Sequence, residues 1–355
     1  LAPLALASRQ FQAWSLEELL RWGVGLVKRH SPLPVFHNNM GMSGSCGSHW
    51  RLAEPCDLVV QDVYPTTSAN PQVYNRFLLD CAMSIARSQS KDLWIGETSV
   101  GQYGTIHRDR PPQALIETLV AEMIGCGIKG LMYFRHKPPK YEQPHKFTGS
   151  QTVLRRDGSE MEYGKTPRRI SELMKSLGED WATRRPVAPQ VGVYYPEESL
   201  LFCRAAGYEA IQRESLYGVS GLWNRLGHPV HILPTSQLLT EDLSGLKVVY
   251  LPVSYLIPEA VGQRLREYVQ AGGVLISECR PGYLDGQGWL YEVQPGAGLH
   301  EVFGAREDLF WQVNKTATRF AFDGAEMEAS FPSLCQTFRL DGAEVPEVNR
   351  RKEGN

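Results

Sequence analysis

No apolar run in this sequence approaches the roughly 18 residues that a membrane-crossing helix requires. Residues 1–7 are apolar but lack the basic flank and cleavage pattern of a signal peptide. A membrane partner is therefore not expected. An excess of one charge sign is missing too: 37 basic residues face 39 acidic ones for a formal net charge of -2, which removes the electrostatic case for nucleic acid and suits a neutral small substrate. Paired cysteine motifs are absent. Cys46, Cys56, Cys81, Cys126, Cys203, Cys279 and Cys335 are scattered singly, a pattern that implies reduced thiols in a cytoplasmic setting and no metal cluster. No GxGxxG follows a strand and no GxxxxGK[ST] occurs, so no nucleotide or other cofactor is expected. Internal repeats and low-complexity blocks are lacking as well.

What is present is enough for two domains: 355 residues, 42% of them hydrophobic. Ser15 and Glu18 match a capping box ahead of Leu16, Leu19, Leu20, Leu26 and Val27, which predicts a helix ending near His30. Short apolar runs then enter HNNM, QDVYP and GET, and a fourth at 128–134 enters YFRH, with helical spacing over 73–88 and 112–125 between them. Thr166 caps a further helix with Pro167 at its first position. Four such βα units are half of an eight-stranded barrel, whose active site is built at the carboxyl ends of its strands.

Residues 178–189, rich in Arg and Pro, read as a linker. A second series of buried strands and helices follows from 190 to 277 and predicts a doubly wound α/β domain. The expected division is 1–185 for the half barrel, 186–310 for the second domain and 311–355 for a mixed segment of unassigned fold, with strands near 318–322 and 337–340 and a polar tail. The chain opens without Met, which reads as the interior of something longer.

The strand-end motifs, taken in order, resemble glycoside hydrolase family 42, the microbial β-galactosidases with a flavodoxin-like, trimer-forming middle domain. HNNMG at 37–41 resembles the family's HNFMG, QDVYP at 61–65 its WDxYP, and WIGETSVG at 94–101 its WVMEQQPG. YFR at 133–135 and EQPH at 142–145 continue the series, and AGGVLISECRPGYLD at 271–285 with the following GWLYE is similar to the family's middle domain. The resemblance implies a partial (β/α)8 barrel, its second half, followed by a doubly wound flavodoxin-like domain and a homotrimer. It also implies an exo-acting retaining hydrolase of terminal β-D-galactosides. The family's acid/base, an Asn-Glu pair ending the fourth strand, has no counterpart before HNNMG and is expected in an N-terminal part.

By that resemblance Glu97 is the catalytic nucleophile, and Glu142 and His145 hold hydroxyls of the nonreducing sugar. The residues themselves give Glu97 a place at the end of a buried strand, beside small Gly96, Thr98 and Ser99 that leave room for a sugar ring. Arg135 suits a carboxylate partner, and Asn38, Asp62 and Tyr64 lie on the expected pocket floor, ready to orient carboxylates or bind hydroxyls. An ExxH in a Pro-rich loop without partner ligands gives no metal site. This chain lacks the family's sugar-binding Trp after the nucleophile, where Tyr103 or His107 are the available substitutes, and it has Gln61 in place of the Trp before Asp62. Two other readings stand beside the glycosidase. One is a noncatalytic assembly or carbohydrate-binding relative, since no proton donor is identified; the other is amidotransferase-like chemistry at Cys203 or Cys279, which lack a nucleophile elbow.

Overall fold

Helix α1 (Ala2–His30) begins well before the expected capping box, leaving Ser15 in mid-helix. Residues 4–14 contain no Gly and are mostly good helix formers, and Pro3 falls in the first turn, where a missing N–H costs nothing. The computed structural model describes residues 2–42, 47–64, 71–100, 113–140, 152–161, 164–313, 317–322, 325–330 and 333–344. No described helix is long and apolar enough to cross a membrane.

Four strands form the first sheet: β1 (Asn38–Met40), β2 (Val59–Asp62), β3 (Leu93–Thr98) and β4 (Gly130–Tyr133). They lie in sequence order and all pair in parallel. The short α2 (His49–Ala53) precedes β2, while α3 (Pro71–Ser88), α4 (Gln113–Gly125) and α5 (Lys165–Thr183) follow β2, β3 and β4. This is the expected half barrel. Among the described residues neither β1 nor β4 has a neighbour on its outer edge. Helix α5 breaks at Gly178 (φ 60°) and resumes to Thr183, so the link expected from 178 starts only after Thr183.

The second sheet runs β6-β5-β7-β8, again all parallel, from β5 (Val191–Tyr195), β6 (Val230–Pro234), β7 (Val248–Leu251) and β8 (Val274–Ser277). Helices α6 (Glu197–Ala206), α7 (Glu209–Arg225), α8 (Thr235–Thr240) and α9 (Glu259–Gln270) connect these strands. The order places a switch point between β5 and β7, the place where open α/β sheets bind ligands. Here Leu201 of α6, Leu256 past β7 and Leu284 close around Leu6 of α1.

A short α10 (Leu299–Phe303) leads into β9 (Ala305–Val313), β10 (Ala317–Phe322), β11 (Ala325–Ser330) and β12 (Ser333–Leu340). Strands β10 and β11 pair antiparallel, as do β9 and β12. Two strands were expected in this segment, near 318–322 and 337–340; β9 and β11 are additional. The first escapes sequence reading because three consecutive charges break the alternation in AREDLFWQV, and the second because AEMEAS, though alternating, is built of Ala and Glu, which are poor strand formers.

One hydrophobic core runs through both sheets. Phe77, Leu79 and Ile85 of α3 pack with Val59 and Ile95 of the half barrel and with Val193, Leu216 and Ile232 of the second unit. At this seam Asp80 is completely buried, meeting Arg76 at 2.8 Å, Ser220 Oγ at 2.6 Å and Asn224 Nδ2 at 2.7 Å. Ser84 Oγ accepts the Ile232 amide at 2.8 Å.

Candidate active site

Asn38, which opens the short β1, and the carboxyl ends of β2 and β3 bring four of the expected residues together. Parallel register sets Asp62 opposite Glu97, and the Val63 amide donates to the Glu97 carbonyl at 3.0 Å. Register slips between Gln61 and Asp62 and between Ile95 and Thr98, irregularities of the kind that re-aim side chains at strand ends. Glu97 is half-buried, whereas Asp62 is buried.

Tyr64 donates its phenol hydroxyl to Glu97 Oε2 at 2.5 Å. Its own backbone is held by Asn75 of α3, whose Nδ2 donates to the Tyr64 carbonyl at 3.0 Å. Asn38 Nδ2 donates to Asp62 Oδ1 at 3.1 Å. Burial first, and the Glu97 charge second, push the Asp62 carboxyl up to about 7, against hydrogen bonds from the Glu97 backbone and Asn38 that favour its ionised form. His37, which opens the first motif, is held below the usual imidazole range by burial.

The space beside Glu97 is not what the sequence suggests. A Cβ at Gly96 would lie 2.5 Å from Val60 Cγ1 and 2.9 Å from both Asn38 Nδ2 and Asp62 Oδ1. Thr98 and Ser99 are buried. Gly96 therefore makes room for the Asn38–Asp62 pair and not for a sugar ring. Trp94 covers Gly130, where a Cβ would sit 2.3 Å from its ring, in keeping with a packing role.

Arg135 lies just past β4, with its guanidinium 4.4 Å from the centre of the Phe134 ring. Tyr103, His107, Glu142 and His145 lie outside the described residues. Among the described residues no group of three His, Cys, Asp or Glu is placed to hold a metal ion. Two residues near the site escaped the sequence reading. Asn75 carries no motif signal, and Asn39, whose buried Oδ1 has no partner among the described residues, shows only as the second Asn of HNNMG. In the second unit, burial pushes the Cys203 thiol up to about 12 and also raises Cys279, so neither is a ready thiolate nucleophile.

A parallel half barrel carrying carboxyl groups at its strand ends, joined to a doubly wound unit, defines an α/β chain whose candidate site lies where barrel proteins build theirs. Residues 2–177 match the β-galactosidase model of glycoside hydrolase family 42, and residues 220–354 match that family's β-galactosidase trimerisation domain. The two matches take in most of the chain, which belongs to this family as part of its catalytic domain plus its trimerisation domain. The β-galactosidase Bga of Halorubrum lacusprofundi is 25% identical over 328 residues, covering 85% of this chain and 44% of the relative. BgaA of Clostridium cellulovorans is 23% identical over 295 residues, covering 77% and 41%. The solved β-galactosidase of Rahnella sp. R3 superposes on 96% of this chain and 51% of its own with a TM-score of 0.81 at 19% identity. That of Halorubrum lacusprofundi gives 0.79 at 22% identity over 97% and 52%. The chain thus spans about half the length of the relatives it matches.

Proposed function

We propose that this chain is the nucleophile-bearing part of a retaining, exo-acting glycoside hydrolase that cleaves terminal nonreducing β-D-galactosides, with Glu97 as the nucleophile. The observation that carries this reading is the Tyr64–Glu97 hydrogen bond at the ends of adjacent barrel strands. A phenol donating to Oε2 steadies the carboxylate and leaves its other oxygen to attack the anomeric carbon. The aglycone departs with a proton from an acid/base; that residue then takes a proton from the water that releases the sugar. The two carboxyl groups must stand about 5 Å apart for this route.

Asp62 is not assigned as that acid, because it is buried against Asn38. The acid/base belongs to barrel strands outside this chain. Two features support a complementary half: the outer edges of β1 and β4, which have no neighbour among the described residues, and the exposed Phe11, Leu19 and Trp22 of α1. Asn38, Tyr103, Arg135, Glu142 and His145 are assigned to holding the sugar. A homotrimer is part of the same reading and rests on the trimerisation-domain match, with sedimentation equilibrium as its check.

Azide rescue tests the chemistry. In the enzyme with its complete barrel, Glu97→Gly should lose turnover by at least about three orders of magnitude. Added azide, attacking from the face the carboxylate vacates, should restore cleavage of a 2,4-dinitrophenyl β-galactoside and yield the α-galactosyl azide. Full turnover by Glu97→Gly without azide would refute the assignment.

A further inference from the structure

Asp62 and Glu97 end neighbouring strands in matched register, yet Glu97 is half-buried and Asp62 is buried. Asp62 is 6% exposed. Its carboxyl receives hydrogen bonds from Asn38 Nδ2 on β1 and from the Glu97 backbone on β3. Gly96 permits this closeness, since any side chain there would collide with both members of the Asn38–Asp62 pair. Three strands are thereby tied in one polar layer beneath Glu97, while Tyr64 holds the carboxylate itself. The layer fixes the main chain and Tyr64 fixes the side chain.

We propose that Asp62 is a positioning residue for the nucleophile: it anchors the Glu97 main chain through that layer and does not touch substrate. The proposal rests on Glu97 being the nucleophile. Electrostatics agree with it. Glu97 is the one charged group among the described residues whose field reaches Asp62, and that field together with burial keeps Asp62 protonated up to about pH 7. A neutral, buried carboxyl serves as an anchor without placing a second charge beside the attacking one. Asparagine reproduces its shape and its acceptor toward Asn38; a carboxylate that grips sugar hydroxyls has no such substitute.

Kinetics of the intact enzyme on 2,4-dinitrophenyl β-galactoside separate these roles. Asp62→Asn should keep kcat within about threefold, and Asp62→Ala should lower kcat about 100-fold, both with KM unchanged, because a shift of about 1 Å in an attacking group costs that much. A KM raised equally by both variants would make Asp62 a sugar ligand and overturn the proposal. So would an unaffected kcat in Asp62→Ala when Glu97→Gln is dead, an outcome that leaves the nucleophile assignment standing. Turnover by Glu97→Gln would remove that assignment and this proposal with it. A readout free of activity is carboxyl 13C NMR of the chain: in Glu97→Gln the Asp62 titration should move toward the ordinary aspartate range, and an unmoved titration would contradict the coupling.

Discussion

Helix α3 is closed in on both sides, with Phe77, Leu79 and Ile85 fully buried and even Asp80 at 0% exposure, whereas α1 turns Phe11 (64%), Leu19 (60%) and Trp22 (63%) to solvent. The two helices do not differ in having apolar residues. They differ in having partners. One side of α3 lies on the half-barrel sheet and the other on α7 and β6, so a carboxylate at its centre needed Arg76, Ser220 and Asn224 around it. Only part of α1 is engaged: Leu6 is held by the second unit, and Arg21 and Lys28 pair with Glu54 and Asp57. Burial in this chain is set by which neighbouring elements are present, and the exposed face of α1 has few among the described residues.

The sharpest way to break the contrast is at Asp80. Asp80→Ala leaves Arg76 half-enclosed without its counter-charge, and breaking a buried pair of this kind costs about 3–5 kcal/mol. Urea unfolding should show this loss, and a change below about 1 kcal/mol would mean that the seam between the two units contributes little. Gly96→Ala comes next. The added methyl meets Val60, Asn38 and Asp62, an overpacking expected to cost roughly 1–3 kcal/mol in thermal unfolding and to lower turnover of the intact enzyme.

Asp62 gives a pH dependence of definite sign. Its carboxyl holds its proton more tightly when folded, with a value of about 7 against the ordinary 3.8. Its contribution to stability is therefore complete below the ordinary value, declines as pH rises, and is gone once pH passes about 7. Asp62→Asn should flatten that part of the stability curve measured between pH 4 and 8. The smallest effect belongs to α1. Trp22→Gln in this chain should change stability by no more than about 0.5 kcal/mol while reducing self-association seen by light scattering. In the protein with its complete barrel the same substitution should destabilise substantially, and equal effects in both settings would contradict the account of α1.

The half barrel was legible because buried strands in a parallel sheet are short apolar runs that end abruptly in polar residues, and QDVYP and GET show that pattern plainly. Glu97, Tyr64, Asp62 and Asn38 could be named for that reason. What each does was less legible. Gly96 looked like room for substrate, but only the register of β2 against β3 reveals that its missing side chain is replaced by Asn38 and Asp62. Asn75 was invisible because its contact to Tyr64 depends on how α3 docks. Ser15 misled because a Ser followed three residues later by Glu occurs as readily inside a helix as at its start, and the Ala-rich turns before it carry helix propensity without an apolar stripe.

The central claim is that Glu97 forms the covalent bond to the sugar. Its most direct measurement is mass spectrometry of the enzyme with its complete barrel after treatment with 2,4-dinitrophenyl 2-deoxy-2-fluoro-β-galactoside, whose activated leaving group needs no proton donor. One fluorosugar per chain on the peptide containing Glu97, absent in Glu97→Gln, is the expected result; an adduct on another residue, or one that persists in Glu97→Gln, would contradict it.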